Sequence, residues 1–540
     1  MRLARLRLTP SVIGNALAVL ALSALAVWML RLQPAPWPAL TAAQPARWLA
    51  TAALALWLLL CAWAVRSRTP RSRAVDTGSP SDWLVVHASQ TGLGLEVAQR
   101  TADILRDAGC TAEMRDIATL EAAALRGRRC LFVASTTGEG DPPDAALDFA
   151  GTAMETAIDL HDTAHAVLAL GDRTYAQFCA FGHRLDGWLR ACGAERLFET
   201  IEVDNADPGA LHHWQRQIGM LAGRQGIPDW RPPDYRPWVL AERRVLNPGS
   251  AGGPVVHLEL SPPDGEALRW QAGDIAEIQP RNAPQAVANA LSVRRLQGTT
   301  LVEVQGHREP LADVLARSCL ADTDIPLDLD ADALARRLKP LPRREYSIAS
   351  IPAEGRLQLL VRLVRDARGE PGLGSGWLCM HAPLGGTIDL RIRSNPNFHA
   401  PDTTRPLVLI GNGTGLAGLR AHLKARIAVG AHRNWLLFGE RNAFHDRLYG
   451  DELDTWLREG GIARIDRVFS RDGNADRYVQ DALLAQAATL QAWLEDGAAV
   501  YVCGSQRGMA PGVDAALEEL LGAEALRSLA RSGRYRRDIY

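Results

Sequence analysis

Lysine is nearly missing from this 540-residue chain: Lys339 and Lys424 are the only two, so arginine carries almost all of the 60 basic charges. A bias that general is compositional and marks no site. Cysteine is sparse as well. The eight are scattered without a CxxC pair, which argues against structural zinc or a disulfide framework and fits a reducing compartment. No histidine precedes His87, so the N-terminal segment has no histidine to ligate a transmembrane haem. Net charge is also lacking, at −1, but the balance hides an asymmetry. Asp82 to Asp207 holds 21 acidic and 10 basic residues, a net −11. Nucleic acid is therefore a poor partner for that segment, and a basic protein surface a good one.

What is present divides the chain into about three domains behind an apolar leader. Ser11 to Leu30 and Trp48 to Val65 are uncharged and long enough to cross a bilayer core. Arg2, Arg5 and Arg7 precede the first run, Arg66, Arg68, Arg71 and Arg73 follow the second, and only Arg31 and Arg47 lie between. The positive-inside rule puts both ends in the cytoplasm. A cleaved signal peptide is disfavoured by the second run and by the lack of a small-residue cleavage site. The expectation is two transmembrane helices, about 11–30 and 48–65, within an anchor spanning 1–73 in the inner membrane.

Beyond a polar stretch the pattern turns to strand, loop, helix. WLVVHAS leads into Ser89, Gln90, Thr91 and Gly92, hydroxyls and bare N–H groups at a helix start, a cradle for phosphate. Two later strands run into loops offering Ser135, Thr136, Thr137, Gly138 and Gly140, then Leu170, Gly171, Asp172, Tyr175 and Phe178. In a parallel sheet such loops converge on one crevice. The set resembles the flavodoxin-like domain of the diflavin reductases, the sulfite reductase flavoprotein subunit especially. The resemblance implies that Ser89–Gly92 hold the FMN phosphate, that the later loops flank the ring, and that Tyr175 stacks on it. Cytochrome P450 reductases carry tyrosine where this chain has Thr137.

A Pro-rich spacer, 223–237, follows. After it come alternating strands, then Arg344, Tyr346 and Ser347 in PRREYSIASIP, and Gly372, Gly374 and Ser375 in GLGSGWL. An arginine suits a pyrophosphate, a tyrosine a flavin face and a serine the flavin N5. The pair resembles the R-x-Y-S and G-x-x-[ST] motifs of the ferredoxin-NADP reductase fold, and implies FAD. Gly411, Gly413, Thr414 and Gly415 form a glycine turn after a strand, matching the family's NADP-binding turn with Gly418 where proline is usual. By resemblance Ser470, Arg471, Arg477, Tyr478 and Gln480 read the 2′-phosphate and adenine of NADPH, with Asp476 where lysine is usual. Cys503, Ser347 and Asp538 then match the hydride-transfer residues, and Tyr540 the aromatic covering FAD.

The expected fold is an α/β flavodoxin-like domain (82–222) and a ferredoxin-NADP reductase-like unit, comprising an antiparallel β-barrel FAD domain (238–402) and an α/β NADP-binding domain (403–540), preceded by two transmembrane helices. A shortened connecting insert, about 280–343, shows helical stretches near 284–296, 310–319 and 331–338. The expected function is a membrane-anchored reductase passing electrons from NADPH through FAD and FMN to a one-electron acceptor protein. A haem protein leads by family, with sulfite reductase and ferric-siderophore reduction also open. The rival, a non-catalytic flavin-binding redox sensor or docking module, is opposed by intact Ser347, Cys503, Asp538 and Tyr540.

Overall fold

The hexapeptide WLVVHA is apolar along its whole length, as a strand covered on both faces must be. In the computed structural model it forms β1 (Trp83–Ala88), buried at every position. The structure describes residues 83–89, 92–173, 175–224, 230, 233–304, 306–320, 325–473, 477–506 and 508–540. β2 (Ala112–Asp116), β3 (Arg129–Ser135), β4 (Ala164–Gly171), β5 (Glu195–Arg196) and β6 (Ile201–Asp204) join β1 in a parallel sheet ordered β2-β1-β3-β4-β5, with β6 also on β4. α1 (Leu93–Asp107) and α3 (Pro208–Leu221) cover one face through Val97, Leu105, Trp214 and Ile218; α2 (Ala180–Ala191) covers the other through Phe181 and Leu185. α3 starts where it does because the Asp207 carboxylate accepts the Ala210 N–H with Pro208 in the first turn, a cap worth about 1 kcal/mol. Strand order reverses between β1 and β3, which opens a crevice at their carboxyl ends.

The next sheet is antiparallel. It starts with β7 (Arg236–Val245), β8 (Val255–Ser261) and β9 (Ile275–Ile278). An insert follows: α4 (Pro284–Arg294), the hairpin β10 (Leu301–Val304) and β11 (His307–Pro310), α5 (Leu311–Ala316) and α6 (Ala331–Arg337). β12 (Arg344–Ser347), β13 (Leu357–Arg362), α7 (Leu373–Gly376) and β14 (Thr387–Arg393) complete it, in the order β12-β9-β14-β7-β8-β13.

The last sheet is parallel again. β15 (Leu407–Asn412), α8 (Leu416–Ala428), β16 (Asn434–Glu440), α9 (Gly450–Arg458), β17 (Arg464–Phe469), α10 (Val479–Ala485), α11 (Ala487–Glu495), β18 (Ala499–Gly504), α12 (Met509–Leu521), α13 (Ala523–Arg531) and β19 (Tyr535–Ile539) follow in sequence. The strands order β17-β16-β15-β18-β19 and reverse between β15 and β18. α8 is buried nearly all round although it carries Arg420, His422, Lys424 and Arg426. Its charges stitch the sheet to the barrel. Arg420 donates to Ala349 O (2.8 Å) and Gln358 Oε1 (2.7 Å) and pairs with Glu452, while Lys424 pairs with Glu354. Removing one partner strands a buried cation, at a cost of about 3–5 kcal/mol.

The transmembrane part of the expected fold is corrected. Among the described residues no helix is long and apolar enough to cross a membrane, and the runs 11–30 and 48–65 lie outside them. Run length and hydropathy measure only the cost of leaving water.

Candidate active site

At the carboxyl ends of β3 and β4 lies a cavity of about 570 Å³. Two of the three expected loops meet on its wall: Ser135, Thr136, Thr137 and Gly138 after β3, and Leu170, Gly171, Asp172, Tyr175 and Phe178 after β4. Gly140 stands behind its loop, against Gln177. The Thr137 hydroxyl turns inward to the carbonyls of Asp141 (3.2 Å) and Pro142 (3.1 Å). Ser89 is buried and its Oγ accepts the N–H groups of Gly92 and Gly94, both at 3.1 Å. It lines a neighbouring cavity of about 510 Å³ that shares Asp144, Leu147, Asp514 and Arg537 with the first. Gln90 and Thr91 lie outside the described residues. Gly92 is required twice over: its φ is +88°, and a Cβ there would sit 2.5 Å from Ser394 O.

Much of this wall was invisible to local pattern. Asn205 and Ala206, just after β6, both take left-handed backbone, φ 47° and 59°. Asparagine tolerates that region, but alanine gives no signal for it. Glu277, Arg343, Glu345, Gln506 and Tyr540 come from the two later sheets. They arrive because the domains are pinned together. Arg391 Nη1 meets Glu96 at 3.1 Å, Arg537 bridges Asp144 and Asp514, and Asn397 Nδ2 donates to Ser89 O at 2.8 Å.

A second cavity, about 1030 Å³, unites most of the later motif residues: Arg344, Tyr346, Ser347, Gly372, Gly374, Ser375, Gly413, Thr414, Ser470, Arg477, Tyr478, Gln480 and Tyr540. A Cβ on Gly374 would lie 2.4 Å from the Tyr346 hydroxyl, so the two motifs touch only because that residue is glycine. Arg471 is exposed and off the wall; its N–H donates to Arg441 O (2.8 Å), and Arg441 lines the cavity instead. Arg362 lines it too, paired with the buried Glu440, whose carboxyl burial pushes up. Asp476 lies outside the described residues.

Gly411 and Gly415 serve a different contact: a Cβ on either would press on Cys503 O, at 2.5 and 2.0 Å. Register then aligns Gly411 with Cys503 and Cys503 with Asp538 across β15, β18 and β19. The Ser347 hydroxyl donates to Asp538 Oδ2 at 2.8 Å, and Cys503 Sγ lies 3.7 Å from the same oxygen. Burial raises the Asp538 carboxyl to about 6 against the opposing hydrogen bond from Ser347, and nearby Glu345 adds to the rise. Burial and the Asp538 charge push the Cys503 thiol well up, so it stays protonated. A Cβ on Gly418 would meet Cys503 Sγ at 3.4 Å and Ser347 Cβ at 3.6 Å, so this departure from the familiar proline abuts the same cluster. Tyr540 is fixed, not frayed. Its N–H donates to Gly504 O (3.1 Å), its O accepts Gln506 N–H (3.0 Å), and its hydroxyl reaches Thr414 Oγ1 (3.3 Å).

The cavities suit phosphate-bearing, ring-bearing ligands. Both have ligand-site volumes. The larger presents four arginines, Arg344, Arg362, Arg441 and Arg477, and Gln480 Oε1 is a buried acceptor without a partner among the described residues.

Residues 85–214 match the Flavodoxin family and residues 409–515 the Oxidoreductase NAD-binding domain family. The chain is 31% identical over 549 residues to the sulfite reductase [NADPH] flavoprotein alpha-component of Neisseria meningitidis serogroup A, covering 86% of this chain and 91% of the relative. The protein of the same name from Salmonella paratyphi A is 32% identical over 555 residues, covering 87% and 92%. That from Serratia proteamaculans is 30% identical over 566 residues, covering 90% and 94%. These relatives correct the expectation of a membrane-anchored reductase serving a general haem protein. Their name carries sulfite reductase, one of the alternatives left open above, and neither they nor any described helix supports the membrane as a partner or the inner membrane as the location.

Proposed function

The chain belongs to the family of sulfite reductase flavoprotein alpha-components, and from that premise we propose that it delivers electrons from NADPH to a sulfite-reductase-type partner protein. It is an oxidoreductase of the diflavin type and uses FMN, FAD and NADPH. The chemistry the two flavins supply is the division of a two-electron hydride into single electrons.

The residues divide the remaining work. The 570 Å³ cavity would take the FMN ring between its two loops, with Tyr175 beside it, and Ser89 and Gly92 order the backbone that would receive the phosphate. Arg344, Tyr346, Gly374 and Ser375 seat FAD in the larger cavity, and Ser470, Arg477, Tyr478 and Gln480 the far end of NADPH. Ser347, Cys503 and Asp538 would orient the nicotinamide, with the buried Cys503 thiol kept protonated beside it. Tyr540 occupies the ring face that nicotinamide must take and swings aside for it. The observation that supports this reading best is that Tyr540 lines both cavities while the fully buried Cys503 stands one strand away in register with Asp538. The acidic segment 82–207 suits a basic docking face on the acceptor.

The test is reconstitution. Purified protein mixed with a sulfite-reducing subunit should oxidise NADPH on addition of sulfite, with a rate falling as salt rises. Rapid reduction of ferricyanide and cytochrome, with none through the sulfite-reducing subunit at any ratio, would overturn the acceptor assignment.

A further inference from the structure

Among the described residues only two side chains line both cavities, Tyr540 and Glu345. Glu345 occupies the variable position of the R-x-Y-S strand, between Arg344 and Tyr346. On β12 it lies directly opposite Glu277 of β9, and like charges so placed repel. Two arginines on the neighbouring β14, with Arg343 just before β12, offset the repulsion unevenly. Glu277 is buried and meets Arg391 at 3.0 Å, Arg343 at 3.6 Å and Arg393 at 3.6 Å. Glu345 has one ion-pair partner among the described residues, Arg393. Arg393 is itself 4% exposed, with Glu345 at its Nη2 and Glu277 at its Nε. That buried cation is compensated by two carboxylates, of which Glu345 is the one that lines both cavities.

We propose that Glu345 is a positioning residue for electron passage between the two cavities, its carboxylate setting the charge of the wall they share. The inference rests on reading the cavities as the FMN and FAD sites. An electron crossing this wall adds one negative charge on the FMN side and removes one on the FAD side. A fixed carboxylate at the boundary opposes negative charge on either ring, by an amount that depends on its distance from each. Its side chain is 36% exposed, so water and salt screen the effect without abolishing it. The same charge reaches Asp538 and helps hold that carboxyl up.

The experiment is spectroelectrochemical titration of the full chain carrying both flavins, for the parent, Glu345→Gln and Glu345→Asp. Glu345→Gln should make at least one flavin couple more positive by about a tenfold change in its equilibrium constant, ~59 mV for one electron. Glu345→Asp should return the parental values. The parent's potentials should drift positive between low and high salt, and those of Glu345→Gln should drift less. Both flavins retained with unchanged potentials in Glu345→Gln would overturn the proposal, as would absence of the salt drift in the parent if the Gln variant fails to fold. A parent that binds a single flavin would instead refute the underlying assignment of the cavities.

Discussion

Replacing Asp538 by asparagine removes one ionisable group from the buried cluster while keeping an oxygen to accept from Ser347. The ordinary carboxylate value is 3.8, and burial raises Asp538 to about 6 in the folded protein. The folded state therefore binds this proton more tightly than the unfolded chain. Its contribution to stability is fully present below the unfolded value and is lost as pH rises through the folded one. At 1.36 kcal/mol per pK unit, the ionised carboxylate costs the fold about 3 kcal/mol at pH 8 but only about half that at pH 5, where the folded state still holds the proton. An asparagine side chain in its place has no such dependence. Asp538→Asn should thus stabilise the protein by about 1.4 kcal/mol more at pH 8 than at pH 5, or ~3–6 °C in Tm for a cooperative unit of this size. Calorimetry at the two pH values and one ionic strength reads the difference directly. An equal shift at both values, or a larger gain at pH 5, would refute the idea that Asp538 is held as a costly buried anion. The same variant should slow flavin reduction by NADPH in stopped-flow at pH 8, so stability and rate move in opposite directions.

Gly92→Ala places a side chain at φ +88° and 2.5 Å from Ser394 O, and should release FMN while FAD stays bound, as read by flavin analysis after gel filtration. Arg477→Ala removes a cavity arginine and should weaken NADPH by about 1–3 kcal/mol with little change for NADH. Arg471→Ala, exposed and off the wall, should cost less than about 0.5 kcal/mol by the same inhibition assay; equal losses for both variants would return Arg471 to the site. Tyr540→Ala removes a ring contact worth on the order of 1 kcal/mol and should relax selectivity toward NADH. Unchanged steady-state constants for both nucleotides would show that the ring does not gate the site.

The local parts of this protein are written in its sequence. Glycine turns after buried strands, hydroxyls at helix starts and the R-x-Y-S strand are legible because each satisfies a constraint within a few residues: a positive φ, an orphan N–H, an alternating face. That is why Gly92, Tyr346 and Gly374 could be named before any coordinates, whereas Cys503 is named only through resemblance to the family. The apolar runs 11–30 and 48–65 lie outside the described residues, and hydropathy by itself reports a transfer cost and not a destination. Which motifs share a wall emerged only on folding. The packed domains set Arg471 outside the larger cavity and Arg441 on it, brought Ala206 into left-handed backbone, and joined Glu345, Gln506 and Arg537 to a cavity formed mainly by loops hundreds of residues earlier. Long-range charge pairing between domains is the cause, Arg391 with Glu96 and Arg537 with Asp144. Such pairs join residues about three and four hundred positions apart, and no periodicity or local spacing records them.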